Sequence, residues 1–536
     1  MHANKVLLIG LDAATFYFIR QWKEMLPNIN SLMSKGVSSE LISTIPALTP
    51  PAWTSIVTGK NPGKHGVFHF FDASDQNFVN STSRKANPIW DILSNRGKKV
   101  ILVNVPMTYP TSIVNGLMIS GFLTPDEKHD FTYPKELKKA VLEKGYEILT
   151  DPVFAGRERL ETTELKKSVK SRSEVTLWLL KHYPWDFAAL VFMETDLAQH
   201  FYFKNPPLIL EIYLEIDRAI GMLLREVPRH TSVVLVSDHG FGPRRKRVAI
   251  NAYLYQLGLI RIKPLRLIGK KLLNKFLNFV FDHMDGMRVP FSLVLKKLHS
   301  VFNRLGGAST SILIGVASEF FEAMTVSLAR KTPLEFILKD FDLSETEAYY
   351  PFASFDETNC AFLRIGPKCR RSQAWLVGKL NDLTDPETGE KIVKKTCWKD
   401  EVYWGKYTAF APDLILELDE EYSGNYAFTP GTLIKKANDG MHHREGIAIF
   451  KGPNIKRGYN LSSGVSAWDI APTILQIMKV PVPSDMDGKV ISEIFRRSPE
   501  VEIEQVSGEE GTEAYRWKTE EEEEIRKRLR ALGYLQ

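Results

Sequence analysis

The sequence predicts a doubly wound α/β fold: a mostly parallel sheet flanked by helices, with a helical cap inserted part-way along the chain. Two observations carry that prediction. Short aliphatic runs without polar alternation recur at Lys5 to Leu11 (KVLLIGL), Val100 to Val105 (VILVNV), Phe187 to Met193 (FAALVFM) and Ser232 to Ser237 (SVVLVS), the pattern of parallel strands buried on both faces. Three of them run directly into acids and imidazoles, and a further run, Gly446 to Phe450 (GIAIF), is preceded by Gly440-Met441-His442. Open α/β sheets bind ligands at the carboxyl ends of their strands, so these polar residues are expected to meet on one edge.

In chain order, the first run ends at Asp12. In Leu48 to Gly59 (LTPPAWTSIVTG), prolines tolerated in a first helical turn follow Thr49, and Gly59 stands where a helix would stop. Thr49 therefore reads as the N-cap of a helix over Pro51 to Thr58. A helix start aims amide donors and positive potential at an anion, and a hydroxyl activated there by a metal is placed to attack phosphorus. The run from Phe187 leads into Asp196 and, four residues on, His200; the run from Ser232 leads into Asp238 and His239.

Three Asp and three His without Cys suit zinc, manganese or iron. They are too many for one tetrahedral ion and enough for two, with Asp196, His200 and His442 around one and Asp12, Asp238 and His239 around the other. A single Asp after a strand is more often a turn or cap residue; six such residues at strand ends form a pattern.

Residues 1–258 are expected to form the first part of the core and 259–345 the inserted cap, where Arg261, Lys263, Arg266, Lys270 and Lys271 alternate with apolar residues at helical spacing. Basic amphipathic helices of this kind lie on anionic membranes or over acidic substrates, so peripheral membrane contact through the cap is one expectation. Residues 346–496 return to the core, with strands at Asp413 to Leu418 (DLILEL) and Gly446 to Phe450. Residues 497–536 read as a linker and a helix with Ile525, Leu529 and Leu532 on one stripe. The quartet Arg244-Arg245-Lys246-Arg247, five residues after His239, reads as an exposed loop or, through Arg244, Arg245 and Arg247, as a clamp on a second phosphate.

Composition narrows the function. A chain of 536 residues with 44% hydrophobic content holds a large α/β core. A net charge of +6, with no nucleic-acid motif, argues against a nucleic-acid partner. Three cysteines without metal spacing suggest a reducing compartment, and the N-terminus leads straight into a strand without signal-peptide features. A cytoplasmic location, with membrane association through the cap as an extension, is the resulting expectation.

The segments LIGLDAAT (Leu8 to Thr15), LTPPAWTSIVTGKNPGKHGV (Leu48 to Val67), METDLAQH (Met193 to His200), VSDHGFGP (Val236 to Pro243), GMHHREGIAIFKGPNI (Gly440 to Ile455) and WDIAPTIL (Trp468 to Leu475) together resemble the alkaline phosphatase superfamily. Within it, they resemble the branch of type I phosphodiesterases, nucleotide pyrophosphatases and their phosphohydrolase or phosphomutase relatives. The resemblance implies an alkaline phosphatase-like fold, with Asp12, Thr49, Asp238 and His239 on one metal and Asp196, His200 and His442 on the other. In the family pattern the last ligand precedes a Gly by four positions, so Gly446 selects His442 over His443.

It further implies two divalent ions, zinc or manganese, a small-molecule phosphate ester as substrate, and Thr49 as a nucleophile that passes through a phosphothreonine. One departure stands out: Phe70 occupies the place of a phosphate-contacting Asn. A sulfatase is disfavoured because Thr49-Pro50-Pro51-Ala52-Trp53 lacks the Cys or Ser and the Arg that formylglycine chemistry needs. The alternatives are a phosphomutase of the cofactor-independent phosphoglycerate mutase type and a degenerate, non-enzymatic membrane-peripheral binding protein.

Overall fold

Val6–Leu11 folds as strand β1 with all six residues buried, as a run without polar alternation requires. The computed structural model describes residues 4–72, 77–148, 161–263, 340–351, 358–426, 428–506 and 515–531. After β1 come β2 (Val37–Ile42), β3 (Val100–Val105), β4 (Gly116–Ser120), β5 (Thr132–Tyr133), β6 (Phe187–Phe192) and β7 (Ser232–Val236). The chain continues through β8 (Gly240–Ala249), β9 (Ala348–Tyr349), β10 (Cys360–Ile365), β11 (Val393–Trp398), β12 (Leu414–Leu418), β13 (Tyr422–Asn425) and β14 (Ile434–His443). It then returns to the first sheet with β15 (Glu445–Lys451), β16 (Tyr459–Asn460) and β17 (Val465–Ser466).

Among the described residues the central sheet has ten strands in the order β16-β2-β15-β7-β1-β6-β3-β4-β5, with β17 on β2. The pairs β1–β6, β1–β7, β3–β6 and β3–β4 are parallel. Register aligns the functional ends: Leu11 lies opposite Phe192 and Gly10 opposite Val236. Asp12, Met193 and Asp238 therefore leave the sheet side by side.

Two strand expectations are corrected. Gly446 to Phe450 does lie in the central sheet, but β15 runs antiparallel to both β7 and β2. An apolar run reports burial on both faces and says nothing of direction. The reversal brings the start of β15, and His442 just before it, to the carboxyl edge of β7. Asp413 to Leu418 belongs instead to a separate antiparallel sheet, β11-β12-β10-β9, with its own apolar cluster that includes Phe362, Leu376, Leu380, Leu414 and Leu416. The same burial signal arises in either core.

Helices α1 (Thr49–Thr58), α2 (Thr162–His182), α3 (Glu194–Tyr202), α4 (Pro206–Glu226), α5 (Ile470–Ile477) and α6 (Thr519–Ala531) flank the sheets. The pairs α2–α4 and α3–α4 pack together, and α1 packs with α5. Near the C-terminus, Trp517 stacks on Tyr109 with centroids 5.5 Å apart, Glu521 accepts from the Tyr109 hydroxyl at 2.9 Å, and Ile525 is buried in the core. The Leu529 and Leu532 side chains lie outside the described residues. So do residues 264–339, which contain most of the expected basic cap and its proposed membrane contact. The flanks of that segment meet: Lys263 N–H donates to Asp340 O at 2.9 Å, and Ile262 bridges Phe341. Among the described residues no helix is long and apolar enough to cross a membrane.

Candidate metal centre

The turn after β1 is tied to β6 and α3. Asp12 N–H donates to Phe192 O at 2.9 Å, the Thr195 hydroxyl to Asp12 O at 2.5 Å, and the Gln199 amide to Ala13 O at 3.0 Å. Ala13 itself takes φ 57°, which turns the chain sharply away from the strand. These bonds fix where the Asp12 carboxyl points.

Asp12, Asp238 and His239 form one fully buried group. His239 Nε2 lies 3.3 Å from Asp238 Oδ2 and 3.7 Å from Asp12 Oδ1. The His239 Nδ1–H donates to Gly240 O at 3.2 Å, which leaves the Nε2 lone pair facing the two carboxyls. Asp12 Oδ1, Asp238 Oδ2 and His239 Nε2 are all buried without a hydrogen-bond partner. Leaving one such atom unpaired costs about 1–3 kcal/mol, and here three converge.

Burial pushes Asp12 well above the usual carboxylate range, and the neighbouring Asp238 and Asp196 add to the effect. Burial raises Asp238 as well, with Asp196 again contributing, while burial and then His442 hold His239 well below its ordinary value. A divalent cation among these atoms inverts that penalty and satisfies all three lone pairs. The donor set therefore fits a metal.

Asp196, His200 and His442 form the second group, and in each group one ligand atom per residue lies within 4.8 Å of the others. Asp196 and His200 share one face of α3 at i and i+4. Both imidazole Nε2 atoms are 3.3 Å from Asp196 Oδ1 and 2.9 Å from each other. Burial works to raise Asp196, but His200 and His442 outweigh it and hold the carboxyl well below its usual range. The His442 Nδ1–H donates to Ala47 O at 3.0 Å, turning Nε2 toward the group.

His443 takes no part. Alternation along β14 sends its ring to the other side, against Gly242, where an added Cβ would meet the imidazole at 2.4 Å. Gly446 is needed for a related reason. A Cβ there would lie 2.5 Å from Ser237 Oγ and 2.9 Å from Ser237 O, so only glycine lets β15 approach β7 closely enough to deliver His442.

The reading of Thr49 as a cap is corrected. Helix α1 begins at Thr49 itself, with Leu48 at the N-cap and no side-chain capping bond. The Thr49 hydroxyl is fully buried, makes no well-formed hydrogen bond and lies beside the Asp12 carboxyl, where it offsets a small part of the rise that burial causes. A cap would have spent that oxygen on the helix; at the first helical position it remains directed at the metal groups. Gly59 does end α1, in the left-handed region at φ 68°.

A sequence model of the type I phosphodiesterase / nucleotide pyrophosphatase family matches residues 6–281. The chain belongs to this family. It is the nucleotide pyrophosphatase branch of the alkaline phosphatase superfamily. Ectonucleotide pyrophosphatase/phosphodiesterase family member 3 of Rattus norvegicus is 34% identical over 281 residues, covering 48% of this chain and 28% of the relative. The Bos taurus counterpart is 24% identical over 246 residues, covering 44% and 24%. Venom phosphodiesterase 2 of Crotalus adamanteus is 24% identical over 248 residues, covering 44% and 27%. The chain thus spans about a quarter of the length of these relatives. Among solved structures, human ectonucleotide pyrophosphatase/phosphodiesterase 5 superposes with a TM-score of 0.52 at 12% identity, and an inactive murine form in complex with AMP with 0.51 at 12%. Each covers 92% of this chain and 100% of the solved one.

Phe70, which the sequence resemblance sets in the place of an Asn, is fully buried and packs edge-on against Phe122 with centroids 6.0 Å apart. The basic quartet lies in strand β8, not in a loop. Arg244, only 4% exposed, grips Asp439 with bonds of 2.8 and 2.9 Å, and Arg247 reaches the same carboxylate at 2.8 Å. Arg245 pairs with Glu421 at 3.0 Å. The sequence reading overlooked Trp53, whose indole donates to Asp12 Oδ2 at 2.8 Å; its position four residues after Thr49 was the available signal.

Proposed function

We propose that the protein is a metal-dependent phosphohydrolase that cleaves a small phosphodiester or phosphomonoester with Thr49 as nucleophile. The observation that carries this reading is the convergence of unpartnered buried atoms: Asp12 Oδ1, Asp238 Oδ2 and His239 Nε2, with the Thr49 hydroxyl beside them. Family membership supports phosphodiester chemistry, and the carboxylate–imidazole donors fit zinc, with manganese as the alternative. Asp12, Thr49, Asp238 and His239 would hold one ion and Asp196, His200 and His442 the other. Bound there, such ions supply charge neutralisation at the entering and leaving oxygens and make hydroxyl groups more acidic.

The chain's own residues do the rest. Helix α1 holds Thr49 Oγ1 at its first turn; Pro50 and Pro51 bring no N–H there and the Ala52 N–H is bonded to Leu48 O, so what an anionic phosphoryl group would meet is the positive potential of the helix start. As the Oγ–P bond forms, the bond to the leaving oxygen breaks, the threonine proton is released and the leaving alkoxide takes one up. Water then attacks the threonine-bound phosphorus from the side opposite Thr49, returning the hydroxyl and releasing phosphate from a monoester or the remaining phosphate monoester from a diester. The complete ligand set disfavours a purely binding role. A reducing, cytoplasmic location rests on Cys360, Cys369 and Cys397, all free thiols.

A screen of zinc- and manganese-loaded protein against monoesters, diesters, nucleoside diphosphate adducts and phosphoglycerates tests this reading. Release of alcohol with consumption of water is expected. Transfer of the phosphoryl group within one substrate would instead make the protein a mutase, and no turnover of any ester would remove the proposal.

A further inference from the structure

Trp53 lies on the same face of α1 as Thr49, one turn further along. Its indole N–H donates to Asp12 Oδ2 at 2.8 Å, and the ring is wholly buried. The other carboxylate oxygen, Oδ1, is the one directed at His239 and without a hydrogen-bond partner. The indole reaches this place by packing against β1 at Gly10: a Cβ on Gly10 would come within 2.2 and 2.8 Å of two carbons of its six-membered ring. A glycine two residues before the carboxylate and a tryptophan four residues after the hydroxyl therefore fit one another.

We infer that Trp53 is a positioning residue that occupies Asp12 Oδ2, leaves Oδ1 as the single ligand atom for the metal shared with Asp238 and His239, and ties that ligand to the helix carrying Thr49. This rests on the two-metal reading above. A buried carboxylate with both oxygens open can swing between one- and two-oxygen coordination, whereas one held by a neutral N–H cannot rotate without losing that bond. Partners of this kind tune metal affinity by roughly 10- to 100-fold. The indole also sets the distance between strand and helix, since its ring is the spacer between Gly10 and α1. Removing the N–H should therefore affect one metal group and leave the group of Asp196, His200 and His442 as it was.

The test titrates metal-free full-length protein with zinc against a chromophoric chelator, for wild type, Trp53→Phe and Gly10→Ala, with Asp238→Ala and His200→Ala marking the loss of each group. Trp53→Phe keeps an aromatic spacer and deletes the N–H; Gly10→Ala keeps the N–H and displaces the ring. The expected result is that both variants weaken one ion roughly 10- to 100-fold, with the isotherm shape of Asp238→Ala, while the second ion binds as in wild type. Thermal unfolding of the metal-free Trp53→Phe protein should stay cooperative, lowered only by the few degrees that one lost buried hydrogen bond costs, which separates positioning from loss of fold. Two ions bound at wild-type affinity by both variants would overturn the inference, as would equal weakening of both ions. If wild type itself takes up fewer than two ions, the two-metal reading fails and this inference falls with it.

Discussion

The imidazole rings of His239 and His442 stack face to face, 3.9 Å between centroids and inclined by 21°. One belongs to the group of Asp12 and Asp238, the other to the group of Asp196 and His200, so the two candidate metal sites share a wall. His239 follows β7 and His442 lies at the end of β14, just before the antiparallel β15, whose close approach to β7 at Gly446 the stack depends on. A single reacting phosphoryl group placed next to that wall would be within reach of both groups, as an in-line displacement with two ions requires.

Metal content follows directly from this arrangement. Metal-replete protein should hold two divalent ions per chain, His442→Ala should lower the count or the affinity, and His443→Ala should change neither. Elemental analysis after dialysis reads the difference. One ion or none in wild type would remove the two-metal account.

The arginines of β8 separate a structural role from substrate binding. Arg244→Ala breaks a bidentate pair with Asp439 at a site only 4% exposed, and should lower unfolding free energy in urea by about 2 kcal/mol. KM for a charged ester should hardly move, because the guanidinium is already committed. A large rise in KM with unchanged stability would return Arg244 to the substrate.

His65 makes stability pH-dependent. It is fully buried, and burial, with Arg84 adding to it, lowers its pKa from 6.5 to about 3. The Val67 N–H donates to Nδ1 at 3.2 Å, so the neutral ring donates from Nε2 to Ser55 Oγ at 2.9 Å. Between pH 6.5 and 3 the unfolded chain therefore binds a proton that the folded chain refuses. The stabilisation is complete above the unfolded pKa and is lost as pH falls toward the folded one, by up to about 1.4 kcal/mol per pH unit. Denaturant unfolding from pH 7 to 4.5 should show a shallower loss for His65→Gln than for wild type; identical slopes would mean that His65 is charged in the folded protein.

Much of the fold was legible because the β1, β3, β6 and β7 runs carry a signal that depends only on burial. Strand direction was not, since β15 and a parallel strand look alike when both faces are covered, and β12 looks the same whichever sheet claims it. The six Asp and His positions were readable because strand ends converge on one edge. The engagement of Arg244 and Arg247 was hidden, because Asp439 lies almost two hundred residues away and only the register of β8 with β14 brings it near. Helix α1 includes Thr49 as its first residue instead of leaving it as the cap, and that shift frees its hydroxyl from capping.

The hydroxyl of Thr49 is the centre of the account, and hydrolysis rates of zinc-loaded wild type, Thr49→Ser and Thr49→Ala on a chromogenic phosphodiester test it most directly. Because no capping bond is lost, the Ala variant should fold and bind ions, yet its turnover should fall by several orders of magnitude, while the Ser variant retains part of the activity because the attacking oxygen survives. Mass spectrometry of the peptide containing Thr49, after acid quench of wild type, should show an adduct with the mass of the phosphoryl group and the ester group the diester retains. Substantial turnover by Thr49→Ala would contradict the account and pass the nucleophile's role to water.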